Sequence, residues 1–364
     1  MMKTIVKSLL VLVAGCLMTV ACTKASDNGG GGNTGGAGNT PPPSVPGGDI
    51  PGGGSGGSTA SSTTLLSLLD GLIEEYNYTA VPAKKIFLVA HRANTYSGYL
   101  KGIPENSIPA IEEAIKQGSD MVELDVRPTS DGVLMIMHDE SVSATTNGGN
   151  KLITNMTYDE VKALKMKARG SSSYYNNGTV KVPTLKEALA ACKGKIYVNL
   201  DLSGKNCSPT AIVRAIAETG TVGQVMIFGA SGAKEQKEYI EKGYNLCGDY
   251  LAVHPYISKP DDINNYDGSY YGCAKLFQYS YATYYDGTIA NFGSKCHANG
   301  GLSYSNALDT QGNQIKSWYD NYGKKGIKGG SCASIDRFIA SGSDFLQVDY
   351  HECADMYLKE KGLR

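Results

Sequence analysis

The residues best suited to chemistry stand where runs of apolar residues end. Between residues 86 and 202, four apolar segments are each interrupted or followed by a histidine, an arginine or a carboxylate. These polar residues are His91, Arg92, Glu123, Asp125, His138, Asp139 and Asp201. In an α/β barrel the carboxyl ends of the strands surround the active site. The pattern therefore predicts one polar site to which several strands contribute.

The carboxylate pair in the second segment indicates a cation site. Glu123 and Asp125 are two residues apart, so on a strand their side chains share one face. Two carboxylates held close together either share a proton or bind a hard cation. A single histidine beside a strand is usually structural, and an isolated Glu-x-Asp pair is usually solvated. Four consecutive segments that each carry such residues are a much less probable accident.

The elements that must position these residues alternate between short apolar runs and capped helical stretches, which is typical of an α/β fold. Ser107 with Pro109, Thr157 with Glu160, and Thr184 with Glu187 have the spacing of helix N-termini. Nine strands are predicted, over residues 86–90, 121–126, 133–137, 196–202, 224–228, 246–253, 275–279, 302–305 and 345–348. About 300 residues of this pattern without an internal linker favour a TIM-type (β/α)8 barrel, with a doubly wound open sheet as the alternative.

One connection departs from that scheme. Only residues 127–132 separate the second and third predicted strands, and Ser130-Asp131-Gly132 has the chemistry of a turn. A parallel crossover needs a dozen or more residues. We therefore expect a short, irregular connection with no helix at this point.

The order of the motifs resembles that of the glycerophosphodiester phosphodiesterase family. The motifs that carry the resemblance are residues 90–92 (Ala-His-Arg), 104–107 (Pro-Glu-Asn-Ser), 122–126, 131–140, 145–148 and 182–189. Each motif is weak alone, whereas the ordered set is specific. The resemblance is dense from residue 87 to residue 202 and returns at residues 302–308 and 344–350.

This resemblance implies a TIM barrel that hydrolyses a glycerophosphodiester to an alcohol and glycerol 3-phosphate. At matching positions, His91 and His138 correspond to the general acid and base, and Arg92 to a phosphate-binding residue. Two imidazoles that titrate near neutral pH suit such proton transfers. Glu105 matches the family's Pro-Glu-Asn element and is expected to support substrate binding, while Asn106 is equally compatible with a helix cap.

The resemblance also implies a divalent cation, Ca²⁺ or Mg²⁺, with Glu123 and Asp125 as two of its ligands. The fourth strand departs from the family pattern, because Asp201 and Ser203 stand where the family usually has Glu and Lys. Asp201 is expected to be the third metal ligand, since a carboxylate of either length binds a hard cation. The absent lysine removes a cation that faces the phosphate, and Lys205 is a candidate replacement.

Composition excludes several classes of partner. The 364 residues carry 34 Lys and Arg against 35 Asp and Glu, a formal charge of -1. No excess of positive charge attracts the chain to nucleic acid or to an anionic membrane surface. We expect a small-molecule phosphodiester as the substrate and no nucleic acid partner.

The N-terminus has the pattern of an exported lipoprotein. Lys3 and Lys7 precede an apolar run that ends in small residues before a cysteine, either Cys16 or Cys22, with Cys22 favoured. Residues 1–22 are therefore predicted to be a lipoprotein signal peptide, and residues 23–64 a flexible, disordered tether, with 14 Gly and 5 Pro in residues 29–57. The phosphodiesterase barrel is expected over residues 65–364, anchored by lipid on the periplasmic face or cell surface. An ordinary cleaved signal peptide is the alternative.

Two other functions remain open at this stage. Phosphatidylinositol-specific phospholipase C barrels also use two histidines and an arginine, although the Glu123/Asp125 pair argues against that class. A surface lipoprotein that binds without cleaving is suggested by Ser203 and Asp201, which depart from the family pattern. Seven cysteines follow the predicted leader, an odd number, so at least one is expected to be unpaired.

Overall fold

The computed structural model describes residues 63–76, 85–230, 232–258, 260–279 and 291–364. The predicted signal peptide (1–22), both candidate lipidation cysteines and nearly all of the predicted tether (23–64) lie outside the described residues. Among the helices within the described ranges, none combines the length and the apolar character that crossing a bilayer requires.

The described residues contain both strands and helices in frequent alternation. The strands are β1 Phe87–Ala90, β2 Met121–Pro128, β3 Leu134–Ile136, β4 Tyr197–Asp201, β5 Val225–Phe228, β6 Ala252–His254, β7 Tyr256–Ile257, β8 Leu276–Tyr279, β9 Leu302–Ala307 and β10 Phe345–Val348. The α-helices are α1 Leu65–Tyr76, α2 Tyr96–Lys101, α3 Ile108–Lys116, α4 Tyr158–Ala163, α5 Leu185–Cys192, α6 Pro209–Thr219, α7 Ala233–Cys247, α8 Phe292–Ala298, α9 Thr310–Asn321, α10 Ala333–Ala340 and α11 His351–Glu360.

The parallel strands form a ring in the order β6-β5-β4-β2-β1-β10-β9-β8-β7. Its two ends, β6 and β7, are consecutive pieces of one strand that Pro255 interrupts. The Val253 amide of β6 donates to the Cys273 carbonyl, and the Gln278 amide of β8 donates to the Pro255 carbonyl, both at 3.0 Å. The ring therefore closes through the interrupted strand, and the predicted eight-stranded barrel is confirmed.

The third predicted strand is not a barrel strand. β3 pairs antiparallel with β2 alone, with Val126 opposite Ile136 and Pro128 opposite Leu134. The short connection after β2 forces this arrangement, because it can close a hairpin but cannot carry a parallel crossover. Because β3 lies outside the barrel, eight of the nine predicted strands remain to form it.

The predicted strand over residues 246–253 begins too early. Helix α7 continues to Cys247 and ends at Gly248, whose φ of 73° is the left-handed conformation that commonly terminates helices. The strand β6 starts only at Ala252. The apolar Leu246 is therefore an exposed helical residue and not part of the sheet.

The predicted helix starts are confirmed. The hydroxyl of Ser107 accepts from the Ala110 amide at the start of α3. Thr157 and Thr184 form complete capping boxes with Glu160 and Glu187 at the starts of α4 and α5. These caps satisfy backbone N–H groups that have no partner within a helix, so they fix where each helix begins.

The barrel interior changes from apolar to polar along the strands. At the amino ends, one buried cluster contains Met121, Tyr197, Met226, Leu276, Leu302 and Phe345. Leu65, Leu69 and Ile73 of α1 belong to the same cluster, and the Tyr197 hydroxyl donates to the Thr63 carbonyl at 2.8 Å. Helix α1, which the sequence patterns did not predict, thus covers the amino-terminal end of the barrel. The opposite end is left for a polar site.

The cysteines of the barrel are all unpaired. None of Cys192, Cys207, Cys247, Cys273, Cys296, Cys332 and Cys353 forms a disulfide. All except Cys247 are buried. The expectation that at least one is free is confirmed, and these residues contribute to packing and not to covalent cross-links.

Candidate active site

A cavity of about 270 Å³ opens at the carboxyl ends of the barrel strands. It is lined by His91, Arg92, Glu123, His138, Asn199, Asp201, Phe228, Gln278, Asn306, Leu308, Asp309 and Gln347. Five of the seven predicted site residues are among them. The other two, Glu105 and Asp125, are buried directly behind the lining and contact it.

The predicted metal ligands converge. Strand register aligns Asp125 of β2 with Asp201 of β4, and Glu123 precedes Asp125 on the same face. Each of the three carboxylates offers an oxygen, and these oxygens all lie within 4.8 Å of one another. Such an all-oxygen set suits Ca²⁺ or Mg²⁺.

Glu123 gives the clearest sign that the set fits a cation. Its Oε2 accepts the Arg92 amide at 2.9 Å, whereas its buried Oε1 has no hydrogen-bond partner among the described residues. Burial, followed by the charge of Asp125, raises the pKa of Glu123. A buried carboxylate with an unsatisfied oxygen beside two further carboxylates is stabilised by a bound divalent cation.

His91 is held by a carboxylate from the far end of the chain. Its Nδ1 lies 2.7 Å from Oδ1 of Asp349, immediately after β10, and its Nε2 lies 4.0 Å from Glu123. Burial alone would lower the pKa of His91, but the hydrogen bond to Asp349 and the charges of Glu123 and Asp349 outweigh it and raise the pKa. Asp349 thus fixes the orientation of the ring and favours its charged form.

Asp349 was not among the predicted site residues, although a signal for it was present. It follows an apolar strand, as His91 and His138 do, and it lies in the 344–350 segment that resembles the family's last strand. Its Oδ2 accepts the Asp309 amide at 3.2 Å, so the carboxylate is itself held in place.

His138 reaches the cavity from the hairpin rather than from a barrel strand. The Met137 amide donates to the Asp125 carbonyl at 2.9 Å, and Nε of Arg127 donates to the His138 carbonyl at 2.7 Å. The side-chain Nδ1 of His138 lies 2.7 Å from Oδ1 of Asp139. Both histidines of the site are therefore paired through Nδ1 with a carboxylate, which leaves the Nε2 atoms for proton transfer.

Arg92 occupies a strained turn, with Glu105 on one side and the predicted metal ligands Glu123 and Asp125 on the other. Its φ of 53° is left-handed, which is uncommon for a residue other than glycine and costs energy that surrounding contacts must offset. Its amide contacts Glu123, its Nη1 donates to Oε1 of Glu105 at 2.9 Å, and its Nε lies 3.6 Å from Asp125. Glu105 therefore lies behind Arg92 and orients the guanidinium.

The Pro-Glu-Asn segment also serves Asp125. The Asn106 side chain donates to Oδ2 of Asp125 at 2.8 Å and accepts the Asp125 amide at 3.2 Å. Asn106 has a φ of 55°, and the neighbouring Ser107 is the residue that caps α3. Of the two interpretations left open for Asn106, the structure favours support of the site.

Comparison with known proteins agrees with this geometry. A model of the glycerophosphoryl diester phosphodiesterase family matches residues 91–219, the stretch that contains every predicted site residue. Over this stretch the chain is similar to that family, which supports the resemblance seen in its motifs. The matched stretch begins at His91 and extends to the last residue of α6, so the remaining barrel strands lie outside it.

Curated relatives named as glycerophosphodiester phosphodiesterases match about a third of the chain. Glycerophosphodiester phosphodiesterase 1 of Mus musculus is 33% identical over 138 residues, which are 37% of this chain and 39% of the relative. The glycerophosphodiester phosphodiesterase of Bacillus altitudinis is 37% identical over 123 residues, which are 32% of this chain and 44% of the relative. The chain thus covers less than half of the length of either relative.

Solved structures extend the likeness in fold to most of the chain. A glycerophosphoryl diester phosphodiesterase from Parabacteroides distasonis gives a TM-score of 0.60 at 19% identity and covers 82% of this chain and 94% of its own. A glycerophosphodiester phosphodiesterase from Agrobacterium tumefaciens gives 0.51 at 21% identity, with 74% and 98% covered. These likenesses concern the barrel fold.

Within the family pattern, the departure at strand β4 has a structural counterpart. The Ser203 amide donates to Asp201, while Lys205, from the loop after β4, directs its ammonium into the carboxylate group. Its Nζ lies 2.5 Å from Asp125 and 3.4 Å from Asp201, and its side chain is 4% exposed. Burial alone would raise the pKa of Asp125, but Lys205 and the neighbouring positive charges lower it. Lys205 therefore brings a cation to the site from two residues beyond the usual position.

The remaining histidines lie outside the cavity lining. His297 is buried against Asp344 at 2.9 Å. His254 is buried beside Phe228 and Tyr304, and neither ring nitrogen has a hydrogen-bond partner among the described residues. His351 is fully buried in α11. None of these three is among the residues that line the cavity.

Proposed function

We propose that this protein hydrolyses a glycerophosphodiester to an alcohol and glycerol 3-phosphate, with a divalent cation held by Glu123, Asp125 and Asp201. The observation that carries the proposal is that His91 and His138, each paired with a carboxylate, line one cavity together with Arg92. The match of residues 91–219 to the phosphodiesterase family model supports the same reaction. Among the described residues, Glu123, Asp125 and Asp201 are the one group of three or more His, Cys, Asp or Glu side chains close enough to hold a metal ion.

The proton transfers follow from the two histidine pairs. Water attacks phosphorus, a new P–O bond forms, and the bond from phosphorus to the alcohol oxygen breaks. One imidazole takes a proton from the water and the other gives a proton to the leaving oxygen. His91, held by Asp349, and His138, held by Asp139, are the two residues placed for these transfers.

The charges of the site suit the phosphate. A phosphodiester carries one negative charge and develops more in the transition state, so fixed positive groups lower the barrier. Arg92 lines the cavity and its guanidinium is held by Glu105, which orients it toward the phosphate oxygens. A cation bound by the three carboxylates would add Lewis-acid stabilisation of those oxygens.

The rest of the cavity suits an alcohol with several hydroxyl groups. Four amide side chains from β4, β8, β9 and β10 line it, namely Asn199, Gln278, Asn306 and Gln347. The Asn199 Oδ1 is buried without a hydrogen-bond partner in the described part of the chain, and Oε1 of Gln347 accepts the Tyr304 hydroxyl. Amides both donate and accept, so they match the neighbouring hydroxyls of glycerol. This supports glycerol as the retained alcohol.

The binding-only alternative rested on the lysine that β4 lacks. Lys205 supplies a buried ammonium in contact with Asp125, so the charge of the site is retained. Hydrolysis is therefore the function that the site favours.

We also propose that the protein is exported and lipidated at Cys22, as the N-terminal pattern indicates. The pattern that supports this is the apolar run after Lys3 and Lys7 that ends in small residues before Cys22. Labelling with radioactive palmitate tests the proposal. Cys22→Ser is expected to abolish labelling and Cys16→Ser to preserve it; the reverse result would assign the lipid to Cys16, and labelling of neither form would refute lipidation.

Product analysis tests the reaction. Phosphorus NMR of glycerophosphocholine incubated with the protein and Ca²⁺ or Mg²⁺ is expected to show glycerol 3-phosphate, and a chelator is expected to stop the reaction. Formation of phosphocholine instead would place the cleavage on the other P–O bond and contradict the proposed orientation of the substrate.

A further inference from the structure

We propose that Arg169 is a positioning residue that joins the two halves of the site and keeps His138 and Arg92 in their working orientations. The proposal rests on the function proposed above. It arises from one side chain that contacts carboxylates on both sides of the cavity, although the sequence gives no sign of its role.

Arg169 binds the carboxylates of Glu105 and Asp139 through different edges of its guanidinium. Toward one side, Nη2 and Nε donate to the two oxygens of Glu105 at 2.8 and 3.3 Å. Toward the other side, Nη1 lies 2.8 Å from Oδ2 of Asp139. The planar fork of arginine allows such simultaneous contacts, whereas the single ammonium of a lysine does not.

Each carboxylate that Arg169 binds also holds a residue of the cavity lining. Glu105 shares its Oε1 between Arg169 and Nη1 of Arg92. Asp139 uses one oxygen for His138 and the other for Arg169. A continuous chain of charged hydrogen bonds therefore runs from Arg92 through Glu105, Arg169 and Asp139 to His138.

Arg169 comes from a segment outside the barrel that has a core of its own. Between β3 and α5 the chain makes a long excursion that contains α4. Its buried apolar residues form a separate cluster, among them Val142, Ile153, Val161, Met166 and Val182. This cluster continues onto Met135 of β3, so the excursion is packed against the hairpin that carries His138. Arg169 lies in the loop between Met166 and Val182, two residues of this cluster.

The contacts of Arg169 make it a positioning residue and not a ligand for phosphate. It does not appear among the described residues that line the cavity, and its guanidinium is already engaged by two carboxylates. Without Arg169, Asp139 would keep only His138 as a partner and could rotate away from the hairpin. Glu105 would keep only Arg92, and the strained turn at Arg92 would lose part of its support.

Kinetics of Arg169→Ala test the proposal. Displacing a catalytic group by about 1 Å costs about 100-fold in rate, and we expect kcat to fall about 10- to 100-fold and KM to rise because Arg92 is also released. Guanidinium ion, added well below denaturing concentrations, is expected to restore part of kcat in Arg169→Ala. Arg169→Lys is expected to be intermediate and not rescued. Arg214→Ala, on an exposed position of α6, is the matched control and is expected to behave as the wild type.

A double-mutant cycle separates this role from a general effect on folding. If Arg169 acts through Asp139, then Arg169→Ala in an Asp139→Asn background is expected to lower kcat by less than threefold more. Full additivity of the two losses, or wild-type kcat and KM in Arg169→Ala, would overturn the proposal. A loss that guanidinium does not restore would also overturn it.

Hydrogen exchange distinguishes failure of this inference from failure of the proposed function. If the wild type hydrolyses no glycerophosphodiester, the proposed function fails while the contacts of Arg169 can still be examined. Arg169→Ala is expected to increase amide exchange in residues 164–175 relative to both wild type and Arg214→Ala. Unchanged exchange there would show that Arg169 does not hold the excursion against the site.

Discussion

Asp349 provides a demanding test of how the site works, because it acts on His91 from 258 residues away in the sequence. Replacing it by Asn retains the shape of the side chain and removes the charge. The Nδ1–Oδ1 distance of 2.7 Å marks a charge-assisted hydrogen bond. Hydrogen bonds to charged groups contribute about 1.5–3 kcal/mol. Both side chains are at least three-quarters buried, so little of this is lost to solvent.

The energy of this hydrogen bond can be expressed as a shift in the pKa of His91. About 1.36 kcal/mol corresponds to one pKa unit, so the pKa of His91 is expected to fall by about one to two units in Asp349→Asn. The sign follows from the contacts, since the hydrogen bond and charge of Asp349 both raise the pKa of His91. We expect the limb of the pH–rate profile that belongs to His91 to move to lower pH by this amount. At neutral pH, kcat is expected to fall about 10- to 100-fold.

The assay is the pH dependence of glycerol 3-phosphate release, measured at saturating Ca²⁺ for wild type and Asp349→Asn. Asp336→Asn is a suitable control, because Asp336 also accepts a hydrogen bond from a side chain, the Tyr357 hydroxyl, but does not line the cavity. A rate within threefold of wild type and an unmoved limb in Asp349→Asn would refute the role assigned to this carboxylate.

Three further predictions follow from buried groups. Glu123→Gln is expected to weaken Ca²⁺ binding at least about tenfold in calorimetry, about 1.4 kcal/mol, and equal affinity would remove Glu123 from the metal site. Lys205→Met is expected to lower the melting temperature without metal, because three carboxylates lose their ammonium, and to bind Ca²⁺ more tightly since Asp125 becomes free; weaker Ca²⁺ binding would contradict this. His254→Met is expected to reduce acid sensitivity, because burial lowers the pKa of His254 from 6.5 to about 3; its contribution to stability is complete above the unfolded pKa and is lost as pH falls toward the folded one. Between about pH 8 and about pH 5, the wild type should lose about 2 kcal/mol more of its free energy of unfolding than the variant, as measured by urea unfolding. Parallel curves of unfolding free energy against pH would contradict this.

Much of the site could be predicted because strand geometry is local and periodic. Glu123 and Asp125 share a face whenever residues 121–126 form a strand, and parallel neighbours bring Asp201 alongside. The chemistry-bearing residues therefore converge once the strands are parallel and in the right order. The same reasoning predicted eight of the barrel strands and the capped starts of α3, α4 and α5.

The hairpin shows what periodicity leaves out. Apolar alternation predicts that residues 133–137 are extended, but it does not specify which neighbour they pair with or in which direction. The short link after β2 held that information, because only an antiparallel return fits it. Barrel closure could not be predicted from periodicity either. It depends on Pro255, which divides one strand into β6, paired with β5, and β7, paired with β8.

The supporting residues escaped prediction because their contacts join distant parts of the chain. Arg169 is 64 residues from Glu105, and it stands in a polar loop whose composition indicates only solvent exposure. Asp349 had a signal in its position after a strand, yet no spacing rule connects it with His91. Helix α1 was missed because its apolar residues directly follow the tether, and its role depends on the open end of the barrel.

The most direct test of the central claim is the release of glycerol 3-phosphate from glycerophosphocholine by wild type, His91→Ala and His138→Ala, each with Ca²⁺, with Mg²⁺ and with a chelator. The account predicts metal-dependent release by the wild type and a loss of about 100-fold or more in each variant, since general acid–base catalysis contributes about 10²–10⁴-fold. Undiminished release by either folded variant, or release that persists with the chelator, would contradict it.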